Sequence, residues 1–170
     1  MSVRDYEKRF EWMIPLAKKA TMAYQNAARY FDEMKEILLV DLGLVHTSEL
    51  FHETAHWFPG QFDVIGDILH QHHVIQSYGG TPEFPGVERD VGDICEMAVR
   101  LLDDIIDSLS EFVRISDGNS CWAIGRELET LQINVSEVKD KYLKVWAMYD
   151  FAETSATSFD SWVLHLKGGC

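Results

Sequence analysis

The chain is short of cysteine, of proline, of positive charge and of long apolar runs, and each shortage excludes something. Its three cysteines, Cys95, Cys121 and Cys170, form no CxxC pair and no even set, so neither a disulfide framework nor a cysteine zinc site is expected. A reducing cytoplasm fits that usage. Lysine and arginine total 15 against 28 acidic residues, a formal charge of −13. Sequence-independent nucleic-acid binding, which needs cations to neutralise phosphates, is therefore not expected. No apolar run approaches the roughly 20 residues of a membrane span, and residues 1–9 carry no apolar signal region. A soluble, cytoplasmic protein without membrane contact follows. Only four prolines punctuate the chain, and nothing alternates with the two-residue period of a strand.

What is present is helical periodicity in a chain of 170 residues with 46% hydrophobic content, enough for one domain with a proper core. The spacing predicts helices over about 15–41, 47–78, 91–115 and 121–150, followed by a tail, 151–170, in which Phe159 to Lys167 form a short amphipathic helix. Thr47 and Ser48 are good N-cap types for the second helix, and Gly79-Gly80-Thr81-Pro82 is its stop signal. Ile94, Ala98, Leu101, Ile105, Leu109 and Phe112 mark the apolar face of the third helix. Ile124, Leu128, Leu131, Val135, Val138, Tyr142, Val145 and Tyr149 mark that of the fourth. The expected fold is all-α, an antiparallel four-helix bundle.

Six of the seven histidines, His46, His52, His56, His70, His72 and His73, fall within a 28-residue stretch that also carries Glu49, Glu53, Asp63 and Asp67. Imidazole with carboxylate suits iron, zinc or manganese. At about 100° per residue, Phe51, Ala55, Phe58, Phe62, Ile65 and Leu69 form an apolar stripe, flanked by an arc carrying His52, His56, Asp63, Asp67 and His70. The same wheel turns His73 into the apolar arc and His72 away from the ligand arc. Pro59-Gly60 falls between the two halves of the stripe, where a break would destroy their common register. The plain alternative is that this arc is a solvated edge of the core. Asp103, Asp104, Asp107 and Glu111 read likewise as a solvated acidic face, and the five tryptophans as packing or interface residues.

Two stretches, Phe51-His52-Glu53 through Tyr78-Gly79-Gly80-Thr81-Pro82 and Leu101-Leu102-Asp103 through Val145-Trp146-Ala147-Met148, resemble the ferritin-like superfamily, and within it the Dps-like mini-ferritins. The resemblance implies an iron-binding homo-oligomer and a ferroxidase centre shared between subunits, with His52 as histidine ligand and Asp67 as carboxylate. His56 and His70 are added by the wheel, with Asp63 and Glu53 next. The chain departs from that pattern in three ways. His56-Trp57 falls inside the second helix, Gln71 stands one turn after Asp67 where a carboxylate belongs, and Glu53-Thr54-Ala55-His56 is a single Glu-x-x-His element with no second copy. The alternative is an acidic helical interaction or inhibitor protein that binds a protein partner on a ferritin-like scaffold without catalysis. A hemerythrin-like carrier or histidine-metal hydrolase is a third reading, although only His165 lies beyond residue 73.

Overall fold

The computed structural model describes residues 8–74, 90–151 and 156–168. Its elements are α1 (Met13–Glu36), a π-helical segment (Ile37–Asp41), α2 (Val45–Gln71), α3 (Val91–Gly118), α4 (Trp122–Phe151) and α5 (Ala156–Gly168). Among the described residues there is no strand. Contacts at the two ends of α1 set directions. Trp12, just before it, packs edge-on against Phe112 late in α3, and the Tyr30 hydroxyl donates to the Ile94 carbonyl early in α3. α1 and α3 are thus antiparallel. In the same way Thr54 meets Tyr142, and Gln61 meets Asn134, so α2 and α4 are antiparallel. The four helices make an antiparallel bundle in which α2 and α3 run the same way.

Left-handed residues end two of the helices. At the end of α2, Val74 N–H donates to Leu69 C=O and His73 N–H to His70 C=O, with His73 at φ 57°. This is the Schellman arrangement, built without glycine and closed by the buried Val74. The helix therefore stops well short of the expected Tyr78, and His73 leaves the wheel and lies exposed rather than in the apolar arc. The Gly79-Gly80 stop lies outside the described residues. α3 ends alike, with Cys121 N–H on Ser116 C=O and Ser120 at φ 60°. Between α1 and α2 the chain loosens into π geometry, Leu42 N–H reaching Ile37 C=O, before Gly43 turns it at φ 66°.

The expected apolar faces are the core. All six positions named on α3 are buried, as are Ile124, Leu128, Leu131, Val135, Tyr142 and Val145 on α4. An aromatic cluster fills the middle, where Phe31 stacks on Phe51 at 4.9 Å and meets Phe58 and Tyr142 edge-on. The start of α2 is capped differently from expectation. Its N-cap Leu44 offers no side-chain acceptor. Instead Asp160 of α5 accepts from His46 N–H (3.1 Å), Thr47 N–H (2.8 Å) and the Thr47 hydroxyl (2.8 Å). A carboxylate at the positive end of a helix satisfies donors left free by the first turn and fixes α5 against α2. Phe159 and Val163 bury beside it.

Candidate metal centre

In the centre of such a bundle, facing helices can present carboxylates and histidines to one another. Here they do not. Asp160 is the one carboxylate or imidazole residue that is buried among the described residues, and it lies at the bundle end. The middle instead holds phenols, a thiol and phenyl rings. The Tyr142 hydroxyl lies 2.6 Å from the Thr54 hydroxyl and 3.3 Å from the Leu50 carbonyl, while the Tyr24 hydroxyl finds no partner among the described residues. Burial raises both phenols well above the ordinary tyrosine range. It also pushes the Cys95 thiol up to about 12, with Asp150 and Asp90 adding to the effect. Such groups stay protonated at neutral pH and make poor ligands for a hard cation.

The histidine-rich face lies on α2, which runs unbroken through Pro59. Pro59 is exposed, on the solvent side of the helix, so its ring displaces no core side chain. His52, Glu53, His56, Asp63, Asp67 and His70 therefore share one helical register, and all six are exposed. The structure brings two of them together. The rings of His52 and His56, one turn apart, stand 4.4 Å centre to centre. Lys35 of α1 reaches across with its ammonium 3.1 Å from His52 Nδ1, while also pairing with Asp32 at 2.8 Å. An ammonium only donates, so His52 Nδ1 accepts and the neutral ring carries its proton on Nε2. Among the described residues, no three histidine, cysteine, aspartate or glutamate side chains converge as a metal site within one chain.

Two other histidines make local contacts. His72 donates from Nδ1 to the Ile68 carbonyl at 2.9 Å and packs on Phe10. His46 approaches Glu49 at 4.0 Å. On α3, Asp103 pairs with Lys139 and Glu111 with Lys19. Glu111 is held below its ordinary range by the Lys19 hydrogen bond, whereas Asp104 is raised, first by partial burial and then by Asp107 and Asp103. That face is the solvated acidic side the sequence suggested. Trp12, Trp57 and Trp146 pack against the core, but Trp122 and Trp162 remain exposed, Trp122 at 57%.

No helix among the described residues is long and apolar enough to cross a membrane. No family model matches the sequence, and no curated protein matches it. Solved structures do. An open-pore ferritin from the hyperthermophilic archaeon Archaeoglobus fulgidus superposes with TM-score 0.83 over 92% of this chain and 94% of its own, at 12% identity. The M. penetrans ferritin gives 0.80 over 90% and 94%, at 13% identity. A variant of PmFTN soaked in iron gives 0.80 over 91% and 98%, at 10% identity. The fold is that of a ferritin-like four-helix bundle.

Proposed function

We propose that this ferritin-like bundle is a metal-binding protein that takes up Fe(II) on the outer face of α2 rather than in the bundle centre. The observation that carries the reading is the His52–His56 pair, two imidazoles one turn apart on an exposed helix face, beside a core whose centre, among the described residues, offers no carboxylate. Two histidines give a partial coordination shell. Because no third ligating side chain of the same chain joins the pair among the described residues, carboxylates of a second copy in a homo-oligomer supply the oxygen donors suited to iron. Iron is the preferred cargo because the similar folds are ferritins, one of them an iron-soaked variant.

The test is anaerobic Fe(II) loading of untagged protein, reading metal per chain together with assembly mass. Stoichiometric binding that falls at least tenfold in the His52→Ala/His56→Ala variant, with helix content unchanged, is expected. A chain that binds no iron, or whose binding ignores both substitutions, would overturn it. The second reading, a non-catalytic interaction protein, draws on a different observation. Trp122 and Ile133 are 57% and 59% exposed on α4, and eleven residues bring them to within about 20° of one another around the helix. Exposed apolar side chains sharing a helix face are what a docking surface offers to another protein.

A further inference from the structure

The two lateral seams of the bundle are unequal. α1 packs along α3, whereas α2 and α4 meet at only a few places. The cross-seam bond from Asn134 to Gln61 is long, at 3.4 Å. The gap leaves a cleft of about 370 Å³ between α2 and α4, adjoined at Asn134 by a second of about 390 Å³. The first has an apolar floor of Val64, Ile68 and Leu131. Its walls carry Asp67 from α2 and Glu127 from α4, with the amides of Gln61, Gln71 and Asn134 between. Neither carboxylate has an ion-pair partner among the described residues. On the α1–α3 side and the α3–α4 side, by contrast, Glu111 pairs with Lys19, Asp103 with Lys139 and Asp117 with Arg126. The second cleft adds the apolar surfaces of Trp57 and Val138, and the opposed charges of Glu137 and Lys141.

We propose that the α2–α4 cleft binds a linear alkylamine of the diamine or polyamine class. An ammonium between Asp67 and Glu127 meets two unpaired negative charges and amide oxygens that accept its N–H groups. The methylene chain lies on the apolar floor, as pockets of a few hundred Å³ with an apolar lining and few polar anchors hold their ligands. Glu127 and Glu137 are separated by about 15 Å along α4, which suits charges spaced along a chain. A bare divalent ion is served less well, since no third ligating side chain joins the two carboxylates among the described residues.

The inference stands apart from iron binding at His52 and His56 and is tested separately. Spermidine is titrated into the full chain by calorimetry at low salt, with Asp67→Asn, Glu127→Gln, His52→Ala/His56→Ala and, as a control for general acidity, Asp104→Asn. Saturable binding is expected, weakened about tenfold or more by either cleft substitution and unchanged in the histidine and Asp104 variants. Equal binding by all variants, complete displacement by magnesium chloride at matched ionic strength, or no saturable heat would each overturn the proposal.

Discussion

The two faces of α2 are made from one continuous helix and do opposite things. Inward, Phe51, Thr54, Phe58, Ile65 and Leu69 lock into an aromatic and aliphatic core. Outward, His52, Glu53, His56, Asp63, Asp67 and His70 stand in solvent. Among the described residues the interior is filled by side chains that neither ionise nor ligate readily, so the packed face and the candidate ligands are separated by about half a helical turn. The ferritin-like fold supplies the platform, and both proposed cation sites lie outside its packed interior, one on the outer face of α2 and one in the α2–α4 seam.

The separation is broken most directly by exchanging perturbations between the faces. Phe58 is fully buried against Tyr24, Phe31 and Trp57. Phe58→Ala is expected to lower unfolding free energy by about 3–5 kcal/mol, the transfer and cavity terms of a large aromatic together. His52→Ala/His56→Ala, one turn away on the other face, is expected to move it by no more than about 0.5 kcal/mol. Urea denaturation of both variants decides. A histidine variant as unstable as the phenylalanine one would mean that the outer face is part of the core's support.

A smaller effect, confined to the inner face, comes from pH. Burial pushes the folded Cys95 thiol from its ordinary 9.0 up to about 12, with Asp150 and Asp90 adding to the effect. Above pH 9 the unfolded thiol loses its proton while the folded one keeps it, so the unfolded state binds fewer protons and stability falls as pH rises, by about 1.4 kcal/mol per unit. Tyr142, raised in the same direction by burial, adds to the slope above pH 10. The urea midpoint is expected to drop between pH 9 and 10 and to flatten over that interval in Cys95→Ala. A wild-type midpoint independent of pH there would show that the thiol is not sealed in the core.

Most of the inner face was legible in the sequence, and the reason is local. Burial follows the 3.6-residue period, so Ile94 to Phe112 and Ile124 to Val145 could be placed by counting. What escaped counting was non-local or conformational. The cap on α2 comes from Asp160, 113 residues beyond Thr47 in sequence, and no pattern around Thr47-Ser48 announces it. The early end of α2 depends on His73 adopting a left-handed conformation that glycine or asparagine would have signalled. The outer face was legible only as an azimuth. A wheel placed five candidate ligands on one arc, but it carries no information about which of them approach one another, nor about Lys35 arriving from α1 to occupy His52. The open α2–α4 seam was invisible for the same reason, since it depends on how two helices diverge.

The finest probe of the outer face is Lys35. Its ammonium takes the Nδ1 lone pair of His52, and Nε2 carries the proton, so a metal ion must displace the lysine or the proton before that ring can ligate. The ammonium also repels an approaching cation. At an exposed site, two unit charges about 4 Å apart interact by only about 1 kcal/mol. Lys35→Met keeps the aliphatic stem against α2, removes both obstacles, and releases the Asp32 carboxylate that Lys35 now pairs with at 2.8 Å. Iron affinity is expected to rise about five- to tenfold, with the urea midpoint nearly unchanged, as measured by anaerobic titration beside the His52→Ala/His56→Ala variant. The direction carries the argument. A gain locates the ion at His52, next to the displaced ammonium, whereas an unchanged or weakened affinity would place it elsewhere and return the outer face of α2 to being a solvated edge of the core.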